Sequence, residues 1–204
     1  MQTELPLLVK GQENDSSPPV TLIKGYLSQK QKQSLMAEAI FYPFTSPQIQ
    51  IFGKRHVIPR QQAWFGDTGC DTRYSGLTVT AEPWPIYAHK LKAKLSHDFG
   101  IDYNGVLVNQ YRNGQDSMGW HCDDEPEFKP CSDIASISLG AEREFVVKHK
   151  QTKQKYSYHL ASGDLLIMHW PMQHDWLHSV PKRVKVNASR LNYTFRQIQP
   201  HFFK

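Results

Sequence analysis

Residues 190–196, Arg190-Leu191-Asn192-Tyr193-Thr194-Phe195-Arg196, alternate strictly between polar and apolar side chains. A period of two is that of a β-strand, in which successive side chains point to opposite faces. Leu191, Tyr193 and Phe195 then share a face that can pack against helices, while Arg190, Asn192, Thr194 and Arg196 share the other. A polar strand face is often merely solvated. This one is nearly all hydrogen-bond donors, with no acidic residue among the four. Two planar guanidinium forks suit a dicarboxylate, since each can grip a carboxylate through paired charge-assisted hydrogen bonds.

Upstream of this strand the same character persists. Segments 105–111, 134–139, 144–149, 156–160 and 164–169 are short and alternating or apolar, and Gly140, Ser162-Gly163-Asp164 and Pro181 punctuate them. Before residue 100 the pattern is helical. Ser28 with Gln31 makes a capping box that opens a helix to about Ala39, before Tyr42-Pro43 stops it. A second helix runs from Pro85 to Phe99, with Ile86, Leu91, Leu95 and Phe99 apolar and Gly100 closing it. The fold class expected is mixed α/β of the α+β kind: amino-terminal helices, then an antiparallel β-rich half closing as a sandwich or barrel. Residues 1–16 lead into the polar run GQENDSSPP at 11–19 and are expected to form a flexible tail ahead of a single domain, 17–204.

The bulk numbers narrow the class. With 204 residues, 39% hydrophobic and 21% charged, the chain can bury a sizeable core without staples. No apolar run approaches the roughly 20 residues that span a bilayer, and the amino terminus lacks the basic-then-apolar pattern of a signal peptide. Three cysteines, Cys70, Cys122 and Cys131, make an odd set without a CxxC. That argues for a reducing compartment: cytoplasmic in a bacterium, nuclear in a eukaryote, with no membrane association. The net charge is +5. Basic residues cluster at Lys148, His149, Lys150, Lys153 and Lys155, again at Lys182, Arg183 and Lys185, and more loosely at Lys90, Lys92, Lys94 and His97. Each cluster alone reads most simply as a solvated face; together they are compatible with a polyanionic partner.

The segment GWHCDDE sets His121 and Asp123 two residues apart, which in extended chain puts imidazole and carboxylate on one face. The tripeptide alone is weak, because ten histidines make it easy to meet by chance. A third ligand must come from elsewhere, and His169, His174 and His178 compete. His169 ends an apolar segment beside Trp170-Pro171, His174 falls in a turn, and His178 stands like a strand residue before Ser179-Val180-Pro181. Strand context favours His178. Two histidines and a carboxylate on one side of a metal leave other positions open, the arrangement of non-haem Fe(II) sites that activate dioxygen. With such an ion nearby, the dicarboxylate suited to Arg190 and Arg196 would be 2-oxoglutarate, whose keto oxygen could complete a chelate. The segment 106–111 puts Leu107, Asn109 and Tyr111 on one face, so Asn109 and Tyr111 could add an amide and a phenol.

NQYRNGQDSMGWHCDDE, SISLGAEREFVVKHK, SGDLLIMHW, WLHSVP and RLNYTFR, in this order and spacing, resemble the AlkB family of Fe(II)- and 2-oxoglutarate-dependent nucleic-acid dealkylases. IFGKRHVIPRQQAWFGDTG and YSGLT resemble its duplex-DNA repair branch in particular. The resemblance covers about residues 50–198. It implies a double-stranded β-helix (jelly-roll) core with a nucleotide-recognition lid at about 45–80. It implies oxidative demethylation of N-alkylated bases, of the 1-methyladenine and 3-methylcytosine type, with release of succinate, carbon dioxide and formaldehyde. It implies Fe(II) at His121, Asp123 and His178, and 2-oxoglutarate at Asn109, Tyr111, Arg190, Asn192, Thr194 and Arg196. Phe52-Gly53-Lys54 matches a hairpin finger that probes the duplex, Thr72-Arg73-Tyr74 the stretch whose aromatic ring stacks on a flipped base, and Asp124 and Glu125 acidic residues beside that base. The physics agrees: extruding a base costs a few kcal/mol, apolar wedges brace such gaps, and ring stacking returns roughly 1–3 kcal/mol per base. Without the resemblance, Phe52 and Tyr74 read as core residues. The partner implied is alkylated DNA, duplex as well as single-stranded, met by a monomer. Trp120 and Cys122, flanking His121, depart from the pattern, as do Thr72-Arg73-Tyr74 and His169-Trp170-Pro171-Met172. The alternatives are an oxygenase acting on RNA or a protein side chain, and a catalytically silent nucleic-acid-binding module.

Overall fold

The computed structural model describes residues 17–51, 53–74 and 77–203, without side chains at 49–51, 74 and 77. The expected tail 1–16 and Phe52 lie outside the described residues. In chain order the elements are β1 (Val20–Ile23), α1 (Gln29–Glu38) with a 3-10 turn at Ala39–Phe41, β2 (Gln48–Ile51), β3 (Lys54–Val57), β4 (Gln61–Gly66), β5 (Thr72–Tyr74), β6 (Leu77–Val79) and α2 (Ile86–Phe99). Then follow β7 (Gly105–Tyr111), β8 (Met118–His121), β9 (Ile134–Gly140), β10 (Arg143–His149), β11 (Lys155–Leu160), β12 (Leu165–Met168), α3 (Pro171–Asp175), β13 (Trp176–Val180) and β14 (Arg190–Arg196).

Local chemistry sets the helix ends. At α1 the Ser28 amide donates to Gln31 Oε1 at 2.9 Å and the Gln31 amide to Ser28 Oγ at 3.3 Å. At α2, Pro85 occupies the cap and Gly100, at φ 67°, takes the left-handed conformation that ends the helix. Ala88, Leu91 and Leu95 are the buried stripe of α2. Ile86, read from sequence as one of its apolar positions, is instead 68% exposed, because two residues from Ala88 is about 200° around the helix.

The strands form two main antiparallel sheets, in the orders β1-β12-β9-β14-β7-β4 and β11-β10-β13-β8, with β2-β3 and β5-β6 as separate hairpins. Helices cover one face of the six-stranded sheet. There Leu191, Tyr193 and Phe195 share a core with Leu35, Leu91 and Leu95, and the Tyr193 hydroxyl reaches the Leu35 carbonyl at 3.4 Å. The four-stranded sheet covers the other face: Tyr111 and Met168 pack with Phe145, Val147 and Trp176. The polar face of β14 therefore lies inside the sandwich rather than in water. No described helix is long and apolar enough to cross a membrane.

Candidate metal centre

β8 and β13 pair so that His121 stands opposite His178, and that register brings the two imidazole centroids to 4.1 Å. Beyond the end of β8, Asp123 Oδ1 lies 3.6 Å from His121 Nε2 and 3.9 Å from His178 Nε2. One ligand atom from each residue falls within 4.8 Å of the others, the only such His/Cys/Asp/Glu group among the described residues. Neighbours fix the orientation. His121 Nδ1 is 2.9 Å from the Gly119 carbonyl, so Nδ1 holds the proton and Nε2 offers its lone pair inward. Arg196 Nη2 donates to Asp123 Oδ2 at 2.8 Å, which leaves Oδ1 facing both histidines. The Asp123 amide donates to Gln173 Oε1 at 2.9 Å. Sequence reading missed Gln173, since a five-residue helix carries no periodic signal.

Electrostatics keeps the donors ready. Burial alone would raise the Asp123 carboxyl, but Arg196, with the two histidines, holds it well below the usual carboxylate range. Burial, reinforced by His121, pushes His178 down to about 3, and burial lowers His121 as well. Two neutral imidazoles and a carboxylate are suited to a divalent first-row ion. The competing histidines are engaged elsewhere. His169 meets Asp133 and Thr21, both at 2.8 Å, and His174 pairs with Asp175 at the surface.

All four polar residues of β14 are buried. Its register with β7 sets Arg190 opposite Tyr111, Asn192 opposite Asn109 and Thr194 opposite Leu107. Arg190 donates from Nη2 to Ser138 Oγ at 2.9 Å, while its Nε and Nη1, and Arg196 Nε, are buried without a partner. Burial lowers the Arg190 guanidinium to about 10, so it is still a cation at neutral pH. A buried cation with idle N–H groups is costly unless an anion takes them. The Tyr111 ring lies between Arg190 and Arg143, at 5.3 and 5.5 Å. Arg143 gives Nη1 and Nη2 to the carbonyls of Asn113, Asp116 and Pro181, and its Nε is buried without a partner. Asn192 is spent within the sheet, donating to Ser136 Oγ and the Ile137 carbonyl and accepting from Thr194 Oγ1. Asn109 Oδ1 accepts from Arg60 Nε at 3.0 Å. Arg60, a buried cation at the base of the β2–β3 hairpin, was not singled out by sequence.

With the triad, Asn109, Tyr111, Asn192, Thr194 and Arg196 line a cavity of about 30 Å³, room for roughly two waters. A five-carbon diacid enters only as its lining yields, and Met118 and Met168, both in that lining, are the unbranched, adaptable side chains suited to give way.

Beside the triad, Asp124, Glu125, Lys150 and Trp170 line a larger cavity of about 380 Å³. Burial, together with the Asp123 charge, pushes the Glu125 carboxyl up to about 7. Gly53, at φ 77°, and exposed Lys54 sit at the tip of the β2–β3 hairpin. The Tyr74 side chain lies outside the described residues. Thr72 and Arg73 are held from below: Thr72 Oγ1 and the Arg73 amide both donate to Glu127 Oε1, at 2.8 and 2.9 Å. Fully buried Glu127 thus ties β5 to the segment after Asp123, a partnership with no local sequence signal. The Arg73 guanidinium lies 4.3 Å over the Phe203 ring.

The profile of the 2OG-Fe(II) oxygenase superfamily matches residues 19–196. The DNA oxidative demethylase ALKBH2 of Bos taurus is 42% identical over 176 residues, covering 82% of this chain and 63% of that protein. The Mus musculus protein of the same name is 40% identical, covering 82% and 74%. The alpha-ketoglutarate-dependent dioxygenase alkB homolog 3 of Homo sapiens is 38% identical, covering 70% and 52%. The chain thus spans about half to three quarters of the length of these relatives. The solved structure of OsALKBH1 superposes with a TM-score of 0.64 at 19% identity, covering 89% of this chain and 97% of that one, which is a likeness of fold.

Proposed function

Because the chain belongs to the 2OG-Fe(II) oxygenase superfamily, within its AlkB branch, we propose that it is a DNA repair enzyme that oxidatively demethylates N-alkylated bases of the 1-methyladenine and 3-methylcytosine type. One observation carries the reading: the His121–Asp123–His178 cluster is bonded through Asp123 to Arg196, which shares the buried polar face of β14 with Arg190, and both arginines keep idle N–H groups. With dioxygen, Fe(II) and 2-oxoglutarate supply the oxidising power that hydroxylates an N-alkyl group, leaving succinate and carbon dioxide; the hydroxymethyl product then sheds formaldehyde.

In this reading His121, Asp123 and His178 hold the iron. Arg196 keeps Asp123 Oδ2 occupied so that the carboxylate binds through Oδ1. Arg190 takes a co-substrate carboxylate on its free N–H groups, with Tyr111 and Asn109 beside it, while Asn192 and Thr194 brace the floor. Asp124 and Glu125 face the larger cavity as a match for a cationic methylated base, which a neutral base cannot exploit equally. Gly53 and Lys54, with Phe52 before them, probe the duplex, and Thr72, Arg73 and Tyr74 form the recognition lid. The enzyme acts as a monomer on duplex as well as single-stranded DNA.

A lesion panel tests this. Methylated oligonucleotides, duplex and single-stranded, are incubated with Fe(II) and 2-oxoglutarate, and the restored base is quantified. Restoration of 1-methyladenine and 3-methylcytosine in DNA is expected. Turnover only on methylated RNA, or none with iron supplied, overturns the reading.

A further inference from the structure

On the outer face of the four-stranded sheet, Trp120 is 41% exposed although it adjoins His121. Lys148 Nζ stands 4.3 Å and Lys155 Nζ 5.7 Å from its ring centroid. These lysines come from β10 and β11, where they are paired in register. The indole and Lys155 line a cavity of about 490 Å³ that continues to Lys182 and Arg183. Among the described residues, Lys148, Lys155 and Lys182 make no ion pair. Glu144, in the same cavity, is taken by Arg183. Two lysines rest on one exposed ring, a third, Lys182, lines the same cavity, and the one carboxylate there is taken by Arg183, which leaves the surface positive.

A solvated lysine surface would not need the indole, and a core tryptophan would not be so exposed. Cation–π contact explains why the lysines rest on the ring, yet it leaves their charge unneutralised. The partner that satisfies both features is a flexible polyanion carrying flat π-faces. Single-stranded nucleic acid is that partner: bases stack on an aromatic platform without regard to sequence, and ammonium groups take the phosphates. An acidic peptide would answer the charge but not the ring.

We propose that Trp120, with Lys148, Lys155 and Lys182, forms a second strand-binding platform outside the catalytic cavity, on which an unpaired stretch of DNA stacks a base. The proposal rests on the reading of the chain as a DNA-acting enzyme and extends it to a site that no part of the iron chemistry uses.

The test uses fluorescein-labelled oligothymidine without methylated bases, so binding is read by anisotropy independently of turnover. W120A should weaken binding by about tenfold while leaving the salt dependence unchanged. W120F, which keeps a ring, should lose less. K148A and K155A should each reduce the slope of log K against log salt by about 0.7. Mn(II) affinity of W120A, measured by calorimetry, should match the wild type. Oligothymidine binding indifferent to W120A overturns the platform. So does a W120A defect that tracks lost Mn(II) affinity, or polyglutamate binding with the same Trp120 dependence. If the wild type restores methylated DNA but binds oligothymidine without using Trp120, only the platform fails. If it restores no methylated DNA, the reading beneath it fails.

Discussion

Arg190 shows how much a single buried side chain can demand. The residue is 1% exposed and spends Nη2 on Ser138, with Nε and Nη1 left over. Removing the cation takes away the group proposed to grip 2-oxoglutarate. R190M should therefore weaken 2-oxoglutarate binding by at least about thirtyfold, the scale of a lost buried charge pair, with Mn(II) affinity retained. Calorimetry of the Mn(II)-loaded protein reads both, and equal 2-oxoglutarate affinity in R190M would remove Arg190 from the pocket. At this scale the sequence was partly legible. Alternation alone placed Arg190 and Arg196 on one face, and strand context favoured His178 over His169 and His174. What stayed hidden were partnerships between distant residues: Arg196 with Asp123, Arg60 with Asn109, Glu127 with Thr72. Hydrogen bonds spanning 49 to 73 positions leave no local trace.

Elements decide what those residues face. Leu95 is fully buried on the stripe by which α2 packs toward β14, so L95A should cost about 2–5 kcal/mol, read as a fall in the denaturation midpoint. Near the end of the same helix, Asp98 receives hydrogen bonds from Tyr26 at 2.7 Å and Lys94 at 2.5 Å. Burial opposes ionisation there, yet Lys94, His97 and Tyr26 hold the carboxyl down at about 2. Its unfolded value is about 3.9, so the ionised form adds stability above that pH and loses it as pH falls through about 2. D98N should accordingly be less stable than wild type at neutral pH, and the gap in urea midpoint should close toward pH 2. A gap independent of pH would contradict the assignment. At the proposed lid, E127Q should raise KM for methylated DNA by about tenfold, since hydrogen bonds to a buried carboxylate are worth roughly 1.5–3 kcal/mol, with 2-oxoglutarate affinity unchanged. α1, α2, β7, β9 to β12 and β14 were legible because caps and alternation are local. β4, β8 and α3 were not, being short or fixed by pairing with chain far away.

Across the whole molecule, the sandwich puts an acceptor-poor, cationic floor against the candidate metal cluster, in which Asp123 and His178 are buried and His121 stays partly open to water. Filling that floor should stabilise the fold by linkage. Mn(II) and 2-oxoglutarate, each at about a hundredfold excess over its dissociation constant, add about 2.7 kcal/mol apiece, each raising Tm by about 5–10 °C in a chain of this size. R190M should lose the part due to 2-oxoglutarate. Alternation in β14 and β7 made a sandwich or barrel legible, and the jelly-roll was implied by the AlkB resemblance; that four strands would seal the polar face had to be seen. The most direct trial of the oxygenase reading is to count products together. Under air, with Fe(II) and an oligonucleotide carrying 1-methyladenine, succinate and restored adenine should rise in equal amounts, and both should vanish in H178A. Adenine restored without succinate, or succinate formed without any restored base across the lesion panel, would contradict it.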